Sequence, residues 1–398
     1  MINISISLPT QRYYRIGVSV FFFIQGLSFA SWASRIPDIK NKLHLSDGAL
    51  GGVLLGLPLG QLTAMGLSGY LVSKYGSKKT LSVAGLLYPA ILLLLASVNS
   101  TWQLVAGLFL FGICGNLCNI SINTQGVGVE RLYGRSIMAS FHGLWSLAGF
   151  TGGLISTFMV ANSISPFVHF CIIYLVAFLL AIAARNIILP RDGSRTVKEK
   201  TKIFVRPDRY IIVLGLIAFA CMICEGTMFD WSGIYFENVV HAPHSLTRLG
   251  YVAFMCTMAG GRFAADRVVT KYGVTFVLKI SGLIILSGLL LAVIFPGIVT
   301  ATIGFLMVGI GVSSVVPMVY SLAGKSKTML PGVALASVSS ISFLGFLIGP
   351  PVIGFIAEAS SLRWSFALVA LLGLGTTVLA GKLKTGEKRG WEDKRMRG

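Results

Sequence analysis

Two carboxylates, Glu225 and Asp230, lie inside one long apolar run, residues 210–236. Ionisable groups are expensive in such a run and mark functional positions. A buried carboxyl that is neutral in one environment and charged in another can carry a proton. Glu225 is the deeper of the two and is the expected proton-coupling residue. The competing reading is a structural hydrogen bond to a neighbouring helix. Asp230 stands five residues on, about 140° around a helix, so the two do not share a face. Its place nearer the end of the run suits a gate pair, for example with Arg35.

Other polar groups fall in stripes. Gln25, Ser28, Trp32 and Arg35 cluster within about 80° of one helical face. Arg35 reads either as a substrate or gate cation, or as an arginine snorkelling to the interface. Asn116, Asn119 and Asn123 share a second face, and amides in an apolar helix need partners. They bond other helices or line a polar cavity, where an amide, donor and acceptor at once, suits a hydroxyl-rich solute. His142, Trp145, Ser146 and Gly149 share a third face. His142 is either a proton relay or simply hydrogen-bonded, and Trp145 either stacks on a ring or packs. Gln25, Trp32, Asn119, Asn123, Trp145 and Trp231 form the candidate substrate set. Arg262 and Asp266, four residues apart, are expected to pair along one helix face and, with Arg35 and Asp230, to gate.

The elements that position these residues follow from composition. Of 398 residues, 55% are hydrophobic and 12% charged, against about 25% charged in soluble domains. The chain therefore cannot cover a water-facing surface. Twelve apolar runs of bilayer-spanning length lie at about 14–36, 47–72, 79–98, 102–125, 137–160, 166–189, 210–236, 245–268, 274–295, 298–323, 331–357 and 362–382. The first reads as a span and not as a cleaved signal peptide. With the N-terminus inside, 28 of the 33 Lys and Arg residues fall on the cytoplasmic side, leaving Arg35, Lys40, Lys42, Arg248 and Arg363 outside. That bias places both termini in the cytoplasm. The net charge of +19 thus reports topology and not a nucleic-acid partner. The six cysteines all lie in apolar runs and read as packing. No metal-ligand cluster, phosphate-binding loop or Walker motif appears, so no metal or cofactor is expected and work must come from solute or ion gradients.

The two halves echo each other. Leu50-Gly51 matches Leu249-Gly250, and Ser73-Lys74-Tyr75-Gly76 matches Thr270-Lys271-Tyr272-Gly273, at offsets of 199 and 197. Closely similar offsets near half the length imply two parallel six-helix repeats. The stretch Gly69–Lys79 resembles the loop motif between helices 2 and 3 of the major facilitator superfamily. Ser73 stands where that family usually has an aspartate, and the acid appears in the second half as Asp266 before Arg267. Trp32–Pro37, Phe141–Ser146, Glu225-Gly226 and Asp230–Ser232 resemble its bacterial rhizopine-transporter-like branch. That resemblance implies a secondary transporter of the inner membrane for a sugar- or polyol-like solute.

The sequence thus predicts an all-α polytopic membrane protein of twelve transmembrane helices in two six-helix repeats. The boundaries are a bundle over 1–190, a cytoplasmic linker over 191–209, a second bundle over 210–382 and a basic tail over 383–398. The expected activity is proton-coupled alternating access, by a monomer whose partners are a small solute, protons and membrane lipid. The alternatives are a drug or metabolite exporter of the same fold and a membrane sensor that does not transport.

Overall fold

The computed structural model describes residues 8–134, 137–190, 207–326, 329 and 331–383; side chains at 8–10, 139, 266 and 331–332 also fall outside the description. The expected linker and tail therefore lie largely outside the described residues. The described residues form helices and no strand. The first half comprises α1 (Leu8–Ser34), α2 (Ile36–Lys42), α3 (Asp47–Leu54), α4 (Gly56–Tyr75), α5 (Ser77–Ala96), α6 (Thr101–Tyr133), α7 (Met138–Ala161) and α8 (Pro166–Ala184). The second comprises α9 (Arg209–Asn238), α10 (Leu249–Tyr272), α11 (Val274–Ile294), α12 (Ile298–Val312), α13 (Val315–Gly324), α14 (Pro331–Ala359) and α15 (Leu362–Lys382). α3 and α4 continue one another as a single span, as do α12 and α13.

Eleven of these stretches are long and apolar enough to cross a membrane. α10 occupies the eighth expected span and has 24 residues, but Arg262, Asp266, Arg267 and Lys271 make it less apolar than the rest. The loops alternate between a basic end, with Lys74, Arg131, Lys271 and Lys325, and a far end that carries α2.

Local chemistry sets the helix boundaries. Ser46, Ser100, Ser165 and Asp208 each accept a hydrogen bond from a backbone N–H three residues on, at 3.2, 3.4, 3.4 and 2.8 Å, which caps α3, α6, α8 and α9. The repeated tetrapeptide does the same work twice. Gly76 (φ 83°, ψ 151°) ends α4 and Gly273 (φ 81°, ψ 152°) ends α10, a backbone region open essentially to glycine alone. Their N–H groups donate to Val72 and Val269 carbonyls at 2.9 and 2.8 Å. The duplication seen in sequence is thus a duplication of backbone geometry.

Small residues bring the helices into contact within each half. A Cβ added at Gly112 of α6 would fall 2.0 Å from the Leu57 carbonyl oxygen of α4, and one at Gly60 would fall 2.0 Å from that of Phe109. In the second half Gly288 of α11 and Gly304 of α12 face each other in the same way. Between the halves, α3 crosses α14, α7 packs on α10, and α1 and α2 touch α9. At the first crossing a Cβ on Gly354 would stand 2.6 Å from the Asp47 carbonyl oxygen.

Gly112→Val forces this contact apart, and overpacking of that kind costs about 1–3 kcal/mol. The expected outcome is a lower melting temperature of the detergent-solubilised protein than for Leu110→Val, which alters an exposed side chain on the same helix.

Candidate functional site

Two polar clusters join the halves. The first is at the far end and centres on Asp38 in α2. Pro37 starts that short helix and a kink after α1 turns Arg35 inward. Arg35 Nη1 donates to Asp38 Oδ2 at 3.4 Å, Arg35 Nη2 to the Ile164 carbonyl at 2.8 Å, and Arg35 Nε to His169 Nδ1 of α8 at 3.1 Å. From the second half, Arg248 Nη2 donates to the same Asp38 oxygen and Nε donates to the Ser34 carbonyl at 3.1 Å. His244 Nε2 lies 3.6 Å from Asp38 Oδ1. Arg35 and Arg248 are 2% and 1% exposed, so this is a buried cluster in which one carboxylate faces two guanidinium groups.

The latch is reinforced on both sides. Asn41 donates to Glu237 at 2.7 Å, and Gly48 N–H donates to Glu358 Oε2 at 3.1 Å. A Cβ on Gly233 of α9 would meet Pro37 at 3.0 Å. A cleft of about 480 Å³, lined by Asp38, Asn41, Lys42, Ser165 and His244 among others, reaches the latch from the far end.

The second cluster lies in the middle of the bundle. Arg262 of α10 donates through Nη2 to Glu225 Oε1 of α9 at 3.2 Å and through Nη1 to Ser146 Oγ of α7 at 2.6 Å. Its guanidinium also lies 5.9 Å from the centre of the Trp145 ring, within cation–π range. Next to it, Trp145 and Phe29 from the first half meet Phe229 from the second, and Tyr251 and Phe254 extend the aromatic cluster. Gln25 Nε2 donates to the Gly115 carbonyl at 3.3 Å, while its Oε1 and Asn116 Oδ1 are buried without partners. Towards the basic end from Arg262, no hydrogen bond or ion pair joins the halves among the described residues.

The geometry revises several expected pairings. Arg35 bonds Asp38 and His169 and not Asp230, because the turn at Pro37 brings its own third neighbour within reach. Arg262 pairs with Glu225 on a different helix; the side chain of Asp266, its expected partner, lies outside the described residues. Asn123 donates to the Asn119 backbone and side-chain oxygens at 2.8 and 3.2 Å, so these two amides serve each other. Trp32 and Trp231 are 1% and 0% exposed and are closed off from solvent in this conformation. Of the candidate substrate residues, Asn119, Asn123 and Trp145 are accessible and Gln25 is buried. His142 is exposed one turn from Ser146 and meets the Phe22 ring edge-on. Sequence reasoning missed Asp38 and Arg248 as a pair. The available signal was that Arg248 is one of only five bases on a base-poor side.

A model of the Major Facilitator Superfamily matches residues 18–329. An uncharacterised transporter of that type from Yersinia pestis is 32% identical over 90% of this chain and 92% of its own length. The membrane protein MosC of Rhizobium meliloti is 30% identical over 92% and 89%. The crystal structure of a mutant of the nucleoside transporter NupG superimposes with a TM-score of 0.76 at 12% identity, covering 94% of this chain and all of that one; at that identity the likeness is one of fold.

Breaking one side of a buried ion pair leaves an uncompensated charge and costs about 3 kcal/mol. Glu225→Gln and Arg262→Gln are each expected to lower the melting temperature more than the double variant does, measured by thermal unfolding in one detergent. At the far end, cysteines at positions 41 and 237, in a chain whose six native cysteines are replaced, are expected to cross-link with a short bis-maleimide. Asp38→Asn is expected to slow that reaction severalfold by loosening the latch.

Proposed function

We propose, for a chain that belongs to the Major Facilitator Superfamily and is a transporter rather than an enzyme, that it moves a small polar solute, sugar- or polyol-like, by proton-coupled alternating access. The observation that carries this reading is the central cluster. A charged pair from the second half, Glu225 and Arg262, reaches Ser146 and Trp145 of the first half in the middle of the bundle. A polar solute binding there touches both halves at once, which couples occupancy to their relative position. Ser146, Gln25 and the nearby amides offer hydroxyl-matching donors and acceptors, and Trp145 offers a ring face.

In this reading the two bodies are residues 1–190 and 210–382, working as a monomer. The basic end faces the cytoplasm of a bacterial cell and the latch faces outward across the inner membrane. The Asp38–Arg248 latch then holds the outer side shut, while towards the basic end from Arg262 no hydrogen bond joins the halves among the described residues. Glu225 and Asp230 supply the carboxylates for proton coupling and His142 a relay near the basic end. The aromatic cluster of Phe29, Trp145, Phe229, Tyr251 and Phe254 favours a second reading, an exporter of larger apolar metabolites or drugs.

A thermal-shift screen of purified protein against sugars, polyols and apolar drugs is expected to find stabilising polyols or sugars. Uptake of a radiolabelled hit into proteoliposomes is expected to rise severalfold with an imposed proton gradient and to fall with a protonophore. Stabilisation without flux would indicate a sensor, and stabilisation by apolar drugs alone would favour the exporter.

A further inference from the structure

Asp230 differs from every other described carboxylate within the spans. It is 9% exposed and makes no hydrogen bond or ion pair with any described residue. Glu225, five residues away, has its counter-ion in Arg262 at 3.2 Å.

The elements packed on α9 account for this isolation. From α10, the facing titratable group is Tyr251, whose hydroxyl is buried without a partner and lies within electrostatic range of Asp230. Arg35 and Arg248 are committed to Asp38 and to backbone carbonyls. In α2, Lys40 pairs with Asp47 and Lys42 bonds the Ala96 carbonyl. α12 and α13 contain no charged residue. Glu358 of α14 serves Gly48, and Arg363 of α15 serves the Val293 carbonyl. Among the described residues of these elements, no cation is left over for Asp230.

Its position is equally specific. Three residues towards the far end, Gly233 abuts Pro37 beneath the latch. Its immediate neighbour Phe229 belongs to the aromatic cluster that closes the centre. Asp230 thus sits between the latch and the aromatic plug. A carboxylate this buried with neither a counter-ion nor a hydrogen-bond donor is better tolerated neutral than charged. No group of three or more His, Cys, Asp or Glu side chains that could hold a metal ion exists among the described residues.

We propose that Asp230 is a proton-binding site, filled in this conformation, with the Tyr251 hydroxyl beside it. Glu225, paired with Arg262 at 3.2 Å, is ionised in the same state. Asp230 lies nearer the far end than Glu225, with only the half-buried Glu237 beyond it in α9, so opening the latch exposes Asp230 to the far-end solution before Glu225 and ties proton exchange to the latch. The assignment rests on the proton-coupled reading for its consequence and not for the proton's presence.

The test is infrared difference spectroscopy on the full chain in lipid, comparing neutral with alkaline pH in H2O and D2O, which needs no substrate. Wild type is expected to show the C=O band of a protonated carboxyl that shifts in D2O and is lost at alkaline pH. Asp230→Asn removes the band and Glu225→Gln retains it. Tyr251→Phe shifts its frequency, and decides the matter if Asp230→Asn does not fold. The assignment is overturned by a wild-type protein without the band, by its survival in Asp230→Asn, or by its loss in Glu225→Gln. An unmoved band in Tyr251→Phe, or loss of the band on adding sodium chloride at constant pH, also overturns it. Band intact with no proton-driven uptake would instead count against the transport reading, and proton-driven uptake without the band would count against Asp230.

Discussion

Asp38 holds an arginine from each half of the molecule on one carboxylate oxygen. Two guanidinium groups enclosed away from water repel each other and lose hydration, and only a shared anion with further acceptors makes that arrangement stable. The Ser34 and Ile164 carbonyls supply those acceptors. Close packing surrounds the two arginines: Pro37 at the start of α2 abuts Gly233, and α3 lies against α14 through Gly51 and Gly354. Because the anion and one cation belong to different halves, this interaction ties the halves together at that end.

The centre works by a different balance. Arg262 is shared among a carboxylate, a hydroxyl and a ring. The hydroxyl and the ring are neighbours on α7, and the carboxylate is on α9, so Arg262 of α10 bridges the two halves through side chains alone. Its Nε remains buried without a partner, as do Gln25 Oε1 and Asn116 Oδ1. Many serine and threonine hydroxyls of the bundle bond the carbonyl one turn back, whereas these three polar atoms of the centre have no such local acceptor or donor.

The two clusters are connected through α9, which carries Glu225 at the centre and Gly233 under the latch. Asp230 lies between them. One continuous helix thus carries residues of both inter-half clusters, and under the proposed reading it gives gate and binding cluster the same mechanical element.

The sequence by itself determined the helices, their order, the internal repeat and the basic bias, because these depend on local composition: hydropathy over about 20 residues, a serine or aspartate before a helix, a glycine after one. It also identified Glu225 and Asp230, since an acid in an apolar run is conspicuous wherever the chain goes. What only the tertiary structure decided was who meets whom. Asp38 and Arg248 are 210 residues apart in sequence, and Glu225 and Arg262 are 37 apart on separate helices; neither spacing encodes contact. Trp32 and Trp231 are as polar-tipped as Trp145, yet packing seals them and leaves Trp145 beside Arg262. A residue's type fixes what it can do, but pairing is decided by how helices rotate and cross, and that is set by hundreds of small packing contacts that no local pattern contains.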